Sequence, residues 1–213
     1  TGTGNASLTV TPSSLAFDFP VDASDTQQVT LQNDSDVPMD WNSGTARVLY
    51  VCANFRGDFL NELRREPGIG KVDYLDARYE TPDLATLQQY DVVLVASNFF
   101  FLDGDVLGDA LADYVDAGGK VIQASCSYTS GYEIGGRFES GGYAAFSVSS
   151  STDFSIRNLG TYDAAHPIME GISTLQNYYG FPTALTYGSV LVASWDSGAP
   201  MVAVKGDNIV GIN

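Results

Sequence analysis

From Arg47 onward the chain alternates short apolar runs with stretches of helical period, and that alternation restricts the fold more than any other feature. The runs are Val48-Leu49-Tyr50-Val51, Val72-Asp73-Tyr74-Leu75, Val92-Val93-Leu94-Val95 and Val121-Ile122-Gln123-Ala124. Between them lie helical patterns at 59–63 and 84–87 and an amphipathic segment at 105–117. Near-continuous apolar strands separated by helices belong to parallel sheets, whose right-handed crossovers place helices on both faces. The expected fold class is α/β, with a mostly parallel sheet and strand order 2-1-3-4.

After Cys126 the Gly-rich stretch 130–151 has no clean period, and apolar runs resume at 155–159, 190–195, 201–205 and 209–212. The last three read as strands joined by tight turns at Asp196-Ser197-Gly198 and Gly206-Asp207. With Gly211-Ile212-Asn213 in or just after a strand, the domain is expected to lack the closing C-terminal helix of such folds. Residues 1–43 follow a different grammar. Alternating stretches at 7–10, 15–19 and 28–31, separated by Pro, Asp and Ser, predict three short antiparallel strands. Two domains are expected, 1–43 and 44–213.

Twenty-six acids against ten bases give a net charge of -16. Such a surface repels phosphate backbones and anionic lipid, so nucleic acid is excluded as a partner class. No run approaches the ~18 apolar residues of a membrane span, which excludes membrane insertion by a helix. Lys is confined to Lys71, Lys120 and Lys205, while Asp, Gly, Ser and Thr abound. This composition predicts an exported protein, secreted or at the cell surface, and a start without Met predicts a piece of a longer polypeptide. Cys52 and Cys126 alone rule out a disulfide-dense scaffold and a Cys-only zinc site.

Three segments carry a resemblance: Asp91-Val92-Val93-Leu94-Val95, the run Leu111-Ala112-Asp113-Tyr114-Val115-Asp116-Ala117-Gly118-Gly119-Lys120-Val121-Ile122, and His166-Pro167-Ile168-Met169-Glu170-Gly171-Ile172. Over 47–213 the chain resembles the class I glutamine amidotransferase-like superfamily, including its trehalose-utilisation-protein-like relatives. The resemblance implies a flavodoxin-like, three-layer α/β/α domain. Val10-Thr11-Pro12-Ser13-Ser14-Leu15-Ala16-Phe17, Val29-Thr30-Leu31-Gln32-Asn33 and Pro38-Met39-Asp40-Trp41 resemble the first half of bacterial immunoglobulin-like sandwich modules. A full sandwich needs about seven strands. The unfinished set is expected to pack on the α/β domain or to take strands from a neighbouring chain, which would permit self-assembly.

In catalytic members of the amidotransferase-like superfamily, a Cys on a sharp strand-to-helix turn is activated by a His that a carboxylate orients. That position falls on Ser125, with Cys126 beside it. The turn Ala124-Ser125-Cys126-Ser127-Tyr128 lacks the small Gly residues of a strained nucleophile elbow. The family's His should come late in the chain, and none follows His166. His166 reads as a turn residue whose ring bonds nearby backbone; the catalytic alternative pairs it with Cys126 and with Glu139 or Glu170.

Asp103, Asp105 and Asp109 cluster where the third strand gives way to a helix, a set suited to calcium, although the EF-hand spacing fails and Asp105 serves equally well as a helix N-cap. Apart from calcium, no cofactor is expected, and 54–58 lacks any phosphate-loop pattern. Asn98, Phe99, Phe100 and Phe101 lie where α/β sheets bind ligands, and with Tyr128 they form a candidate ligand or partner edge. The 131–142 stretch reads as a flexible, lid-like loop. The function expected is a non-catalytic module for binding, spacing or self-assembly, partnered by other domains, copies of itself or a glycan. A Cys/Ser hydrolase or amidotransferase-like enzyme, and a glycan-binding module, are the alternatives.

Overall fold

A computed structural model describes residues 8–11, 28, 30–35, 45–54 and 59–213, and the chain divides into two compact units, Thr1–Trp41 and Asn42–Asn213. In the first unit β1 (Leu8–Thr11) pairs antiparallel with β2 (Thr30–Asn33), with Thr9 opposite Gln32 and Thr11 opposite Thr30. The Asp34 carboxylate ties the pair, accepting from the Thr9 hydroxyl and from Gln32 Nε2 at 2.6 Å. The strand expected at 15–19 and the segment at 38–41 lie outside the described residues.

The second unit begins with the predicted alternation: β3 (Ala46–Ala53), α1 (Phe59–Leu63), β4 (Ile69–Asp76), α2 (Leu84–Leu87), β5 (Val92–Ser97), α3 (Gly104–Asp116) and β6 (Lys120–Ser125). It continues with α4 (Gly136–Ser140), β7 (Arg157–Tyr162), β8 (Gln176–Asn177), β9 (Ser189–Trp195), β10 (Pro200–Lys205) and β11 (Ile209–Ile212). One nine-stranded sheet runs β4-β3-β5-β6-β11-β10-β9-β7-β8. Its first four strands are parallel in the predicted order 2-1-3-4.

The apolar runs become central strands because they have no polar face to give to water: in β5, Val93 and Val95 are fully buried on one side and Leu94 nearly so on the other. α2 and α3 cover one face through Leu87, Leu107 and Leu111, while Leu60 of α1 covers the other against Val48, Val72 and Leu94. Each fully buried aliphatic side chain stabilises the fold by about 1.5–3 kcal/mol. α3 stops at Gly118, whose φ of 91° is the left-handed conformation that ends helices. Gly119 then passes beneath the Tyr114 ring, leaving no room for a side chain.

Beyond β6 the sheet is less parallel than its first half. β11 joins β6 in parallel, but β10, β9 and β7 then alternate in direction. At the carboxyl edge of the parallel strands, the N–H groups of Asn98 and Phe99 both donate to the Ala53 carbonyl at 2.9 Å. These bonds close the backbone between β3 and β5, the point where strand order reverses and α/β sheets ordinarily open a crevice.

Candidate functional site

Cys126 opens a 3-10 turn over Cys126–Tyr128, directly after β6. The turn is braced from below: buried Gln123 donates to the Ser127 carbonyl at 3.0 Å, and the Ser127 hydroxyl to the Ala124 carbonyl at 2.7 Å. The Cys126 thiol is 6% exposed, with Asn98 Oδ1 3.9 Å away. Burial pushes its pKa up, and the neighbouring Cys52 thiol adds to the rise. Nucleophilic catalysis requires the opposite shift. Cys52 and Cys126 are both free and buried.

Tyr128 lies at the heart of a packed aromatic cluster rather than on a ligand edge. It is 1% exposed and meets Phe146 and Phe181 edge-on at 5.3 and 5.6 Å, and Tyr179 packs on Phe181 at 5.9 Å. Its hydroxyl lies 3.1 Å from both the Ile212 carbonyl and Asn213 Oδ1. The residues following the elbow position are thus occupied by core packing.

His166 does not reach this place. β7 runs antiparallel to β9 and hence to β6, four strands across the sheet, so it carries His166 toward the amino-terminal edge of the parallel strands. There His166 caps a 3-10 turn, its Nδ1 accepting from the Ile168 N–H at 3.3 Å. A pairing of Cys126 with His166 is therefore corrected. The two sit on opposite edges.

The three aspartates each accept a backbone N–H. Asp103, not Asp105, is the N-cap of α3, accepting from Val106 N at 3.0 Å. Asp105 accepts from Gly136 N and Asp109 from Arg137 N, each at 2.8 Å. Among the described residues no three His, Cys, Asp or Glu side chains converge as metal ligands. Replacing Asp103 with Ala is expected to cost about 1 kcal/mol through the lost cap. The melting temperature of the wild-type chain should be the same in calcium as in EDTA; a calcium-dependent rise would restore the metal reading.

Asp105 and Asp109 belong to a stripe that continues at Asp113 and Asp116, spaced to lie on one helix face. Arg137 bridges the last two, reaching Asp116 at 2.9 Å, and the Tyr143 hydroxyl donates to Asp116 at 2.7 Å. These partners hold the Asp116 pKa below the ordinary carboxylate value, the Tyr143 bond first and the Arg137 bond after it. Glycines permit the approach: a Cβ on Gly108 would collide with the Gly135 carbonyl oxygen, and Gly136 holds φ at 54° against α3. The segment expected to be a flexible lid is instead clasped to α3, with Ile134 and Phe138 buried beneath it. The periodic Asp spacing was visible in the sequence; its distant partners were not.

What remains open is an aromatic rim. Phe101 turns inward at 9% exposure, while Phe100 is 66% exposed and stacks on Tyr132 with centroids 4.9 Å apart and planes 19° from parallel. Ser97 Oγ donates to the Tyr132 carbonyl at 2.9 Å, which pins this stack to the end of β5. Tyr79 is 75% exposed, and the Arg78 guanidinium lies between it and Phe99, 5.2 and 5.7 Å from the two rings. Asp76 holds Arg78 at 2.6 Å. Nothing local in the sequence distinguishes Tyr79 and Tyr132, at the rim, from a core tyrosine such as Tyr128.

No protein-family model matches this chain, and no curated protein matches it in sequence. Solved structures do match in fold. A ThuA-like protein from Bacteroides uniformis superposes with a TM-score of 0.61 at 10% identity, covering 83% of this chain and 85% of that one. A cytoplasmic protein from Salmonella typhimurium gives 0.60 at 15%, covering 78% and 86%. A glutamine amidotransferase from Thermotoga maritima gives 0.51 at 13%, covering 78% and 74%. The Salmonella match corrects the expected secreted or cell-surface location: the fold occurs in a protein named as cytoplasmic, and an acidic, Lys-poor surface confers solubility in any compartment. The α/β unit has the flavodoxin-like fold shared by ThuA-like and class I glutamine amidotransferase-like proteins.

Proposed function

We propose that the α/β unit is a non-catalytic binding module that meets its ligand or partner at the carboxyl edge of the parallel strands. The observation that carries this reading is the state of the elbow thiol. Cys126 sits beside the family's nucleophile position, but it is buried beside an amide, its pKa is raised, and the chain's one histidine lies on the opposite edge. A thiol so placed is protonated at neutral pH and has no imidazole beside it to act as general base. The partner classes this reading admits are other domains of a longer polypeptide, further copies of the chain, or a glycan.

Iodoacetamide kinetics followed by peptide mass spectrometry test the proposal. Cys126 is expected to react slowly at neutral pH, with a rate that still climbs above the usual thiol range, because a raised pKa moves thiolate formation to higher pH. Fast, stoichiometric alkylation of Cys126 at neutral pH would instead support the cysteine hydrolase or amidotransferase-like alternative.

A further inference from the structure

The exposed rings at the carboxyl edge are arranged as a surface rather than scattered singly. Exposed Tyr79 follows β4, exposed Phe99 and Phe100 follow β5, and the half-buried Tyr132 follows β6. Isolated exposed apolar side chains are ordinary, whereas rings from several loops gathered at one edge mark an interaction site. Phe100 is also held in place. One side stacks on Tyr132, and Gly131, at φ of 89°, brings its backbone close enough that a Cβ there would lie 3.5 Å from Phe100 Cε1. A ring fixed in this way loses little conformational freedom on binding.

We infer that this rim binds a neutral oligo- or polysaccharide, which lies along the rings of Tyr79 and Phe100–Tyr132; the inference rests on the non-catalytic reading above. Aromatic faces carry partial negative charge and attract the weakly positive C–H faces of a sugar ring. The net charge of -16 disfavours anionic ligands throughout. Polar groups stand beside the rings for hydroxyl contacts: exposed Asn98, and the Arg78–Asp76 pair at 2.6 Å. A chain polymer suits rings that are open to solvent and supplied by separate loops, because successive sugars can engage successive rings.

Affinity electrophoresis of the full chain in gels containing hydroxyethylcellulose, xylan or laminarin is the test. At least one of these polymers is expected to retard the wild type. Phe100→Ala should weaken the retardation about tenfold, as loss of one stacking contact does. Phe100 is largely exposed, so this variant keeps its fold, and Tyr79→Ala provides a second independent reading. Tyr187→Ala, at a fully exposed ring on the approach to β9, should leave retardation unchanged. Mobility unchanged in all three polymers, or equal losses for Phe100→Ala and Tyr187→Ala, would overturn the inference. Alkylation of Cys126 is read separately, so a failed sugar test with a sluggish thiol rejects the ligand class alone, and a fast thiol rejects the non-catalytic reading itself.

Discussion

Gly108→Ala should destabilise the α/β unit by about 1–3 kcal/mol, the usual cost of forcing a methyl group into filled space. The sign is what makes the substitution informative. At an exposed mid-helix position, exchanging Gly for Ala stabilises by about 1 kcal/mol, because glycine is a poor helix former. Here the new Cβ meets the Gly135 carbonyl oxygen and the Ile134 side chain, so the packing of α4 on α3 must yield. The melting temperature is expected to fall by about 3–10 °C, given the size of the unit. A rise would mean that α4 does not lie this close to α3.

A larger loss is expected from Phe138→Ala, about 3–5 kcal/mol, as for other aromatic truncations in cores. Phe138 is fully buried, and Tyr143 stacks on it with centroids 6.1 Å apart. Removing the ring takes away the apolar anchor of α4 and leaves the solvent-screened pairs of Arg137 with Asp113 and Asp116. That is a large share of a total stability of roughly 5–15 kcal/mol. Chemical denaturation measures the change directly, and Phe138→Leu should recover part of it. A loss below about 1 kcal/mol would show that the ion pairs, rather than the ring, hold the segment.

The fold was legible in the sequence wherever structure follows from neighbours along the chain. Val92-Val93-Leu94-Val95 and the Leu107, Leu111 and Tyr114 spacing announce a buried strand and a one-sided helix through local period alone, and Gly118-Gly119 marks the helix end. The position of β11 between β6 and β10 was not legible, because four apolar residues do not reveal which distant strand they will join. The same limit governs the candidate site. Asp105, Asp109, Asp113 and Asp116 repeat at helical intervals, but only the folded chain shows Gly136, Arg137 and Tyr143 arriving to meet them. Gly135 and Gly136 read as a sign of flexibility when their role is close approach. A lone cysteine near a family's nucleophile position looks the same in sequence whether it is activated or buried.

The placement of β11 bears on the order in which the unit can assemble. Strands β4, β3, β5 and β6 are neighbours in sequence, joined by short crossovers, and pair in parallel with one another. The antiparallel group of β10, β9, β7 and β8 is likewise built from later segments that pair among themselves. Only Ile209–Ile212 connects the two, pairing with Val121–Ala124 on one side and Val202–Lys205 on the other. β11 follows β10 after the turn at 206–208, so its pairing with β10 closes a short stretch of chain, whereas its pairing with β6 spans the long segment from 126 to 208. Until that distant pairing forms, the edge of β6 is where the unit is most open to pairing with the wrong strand.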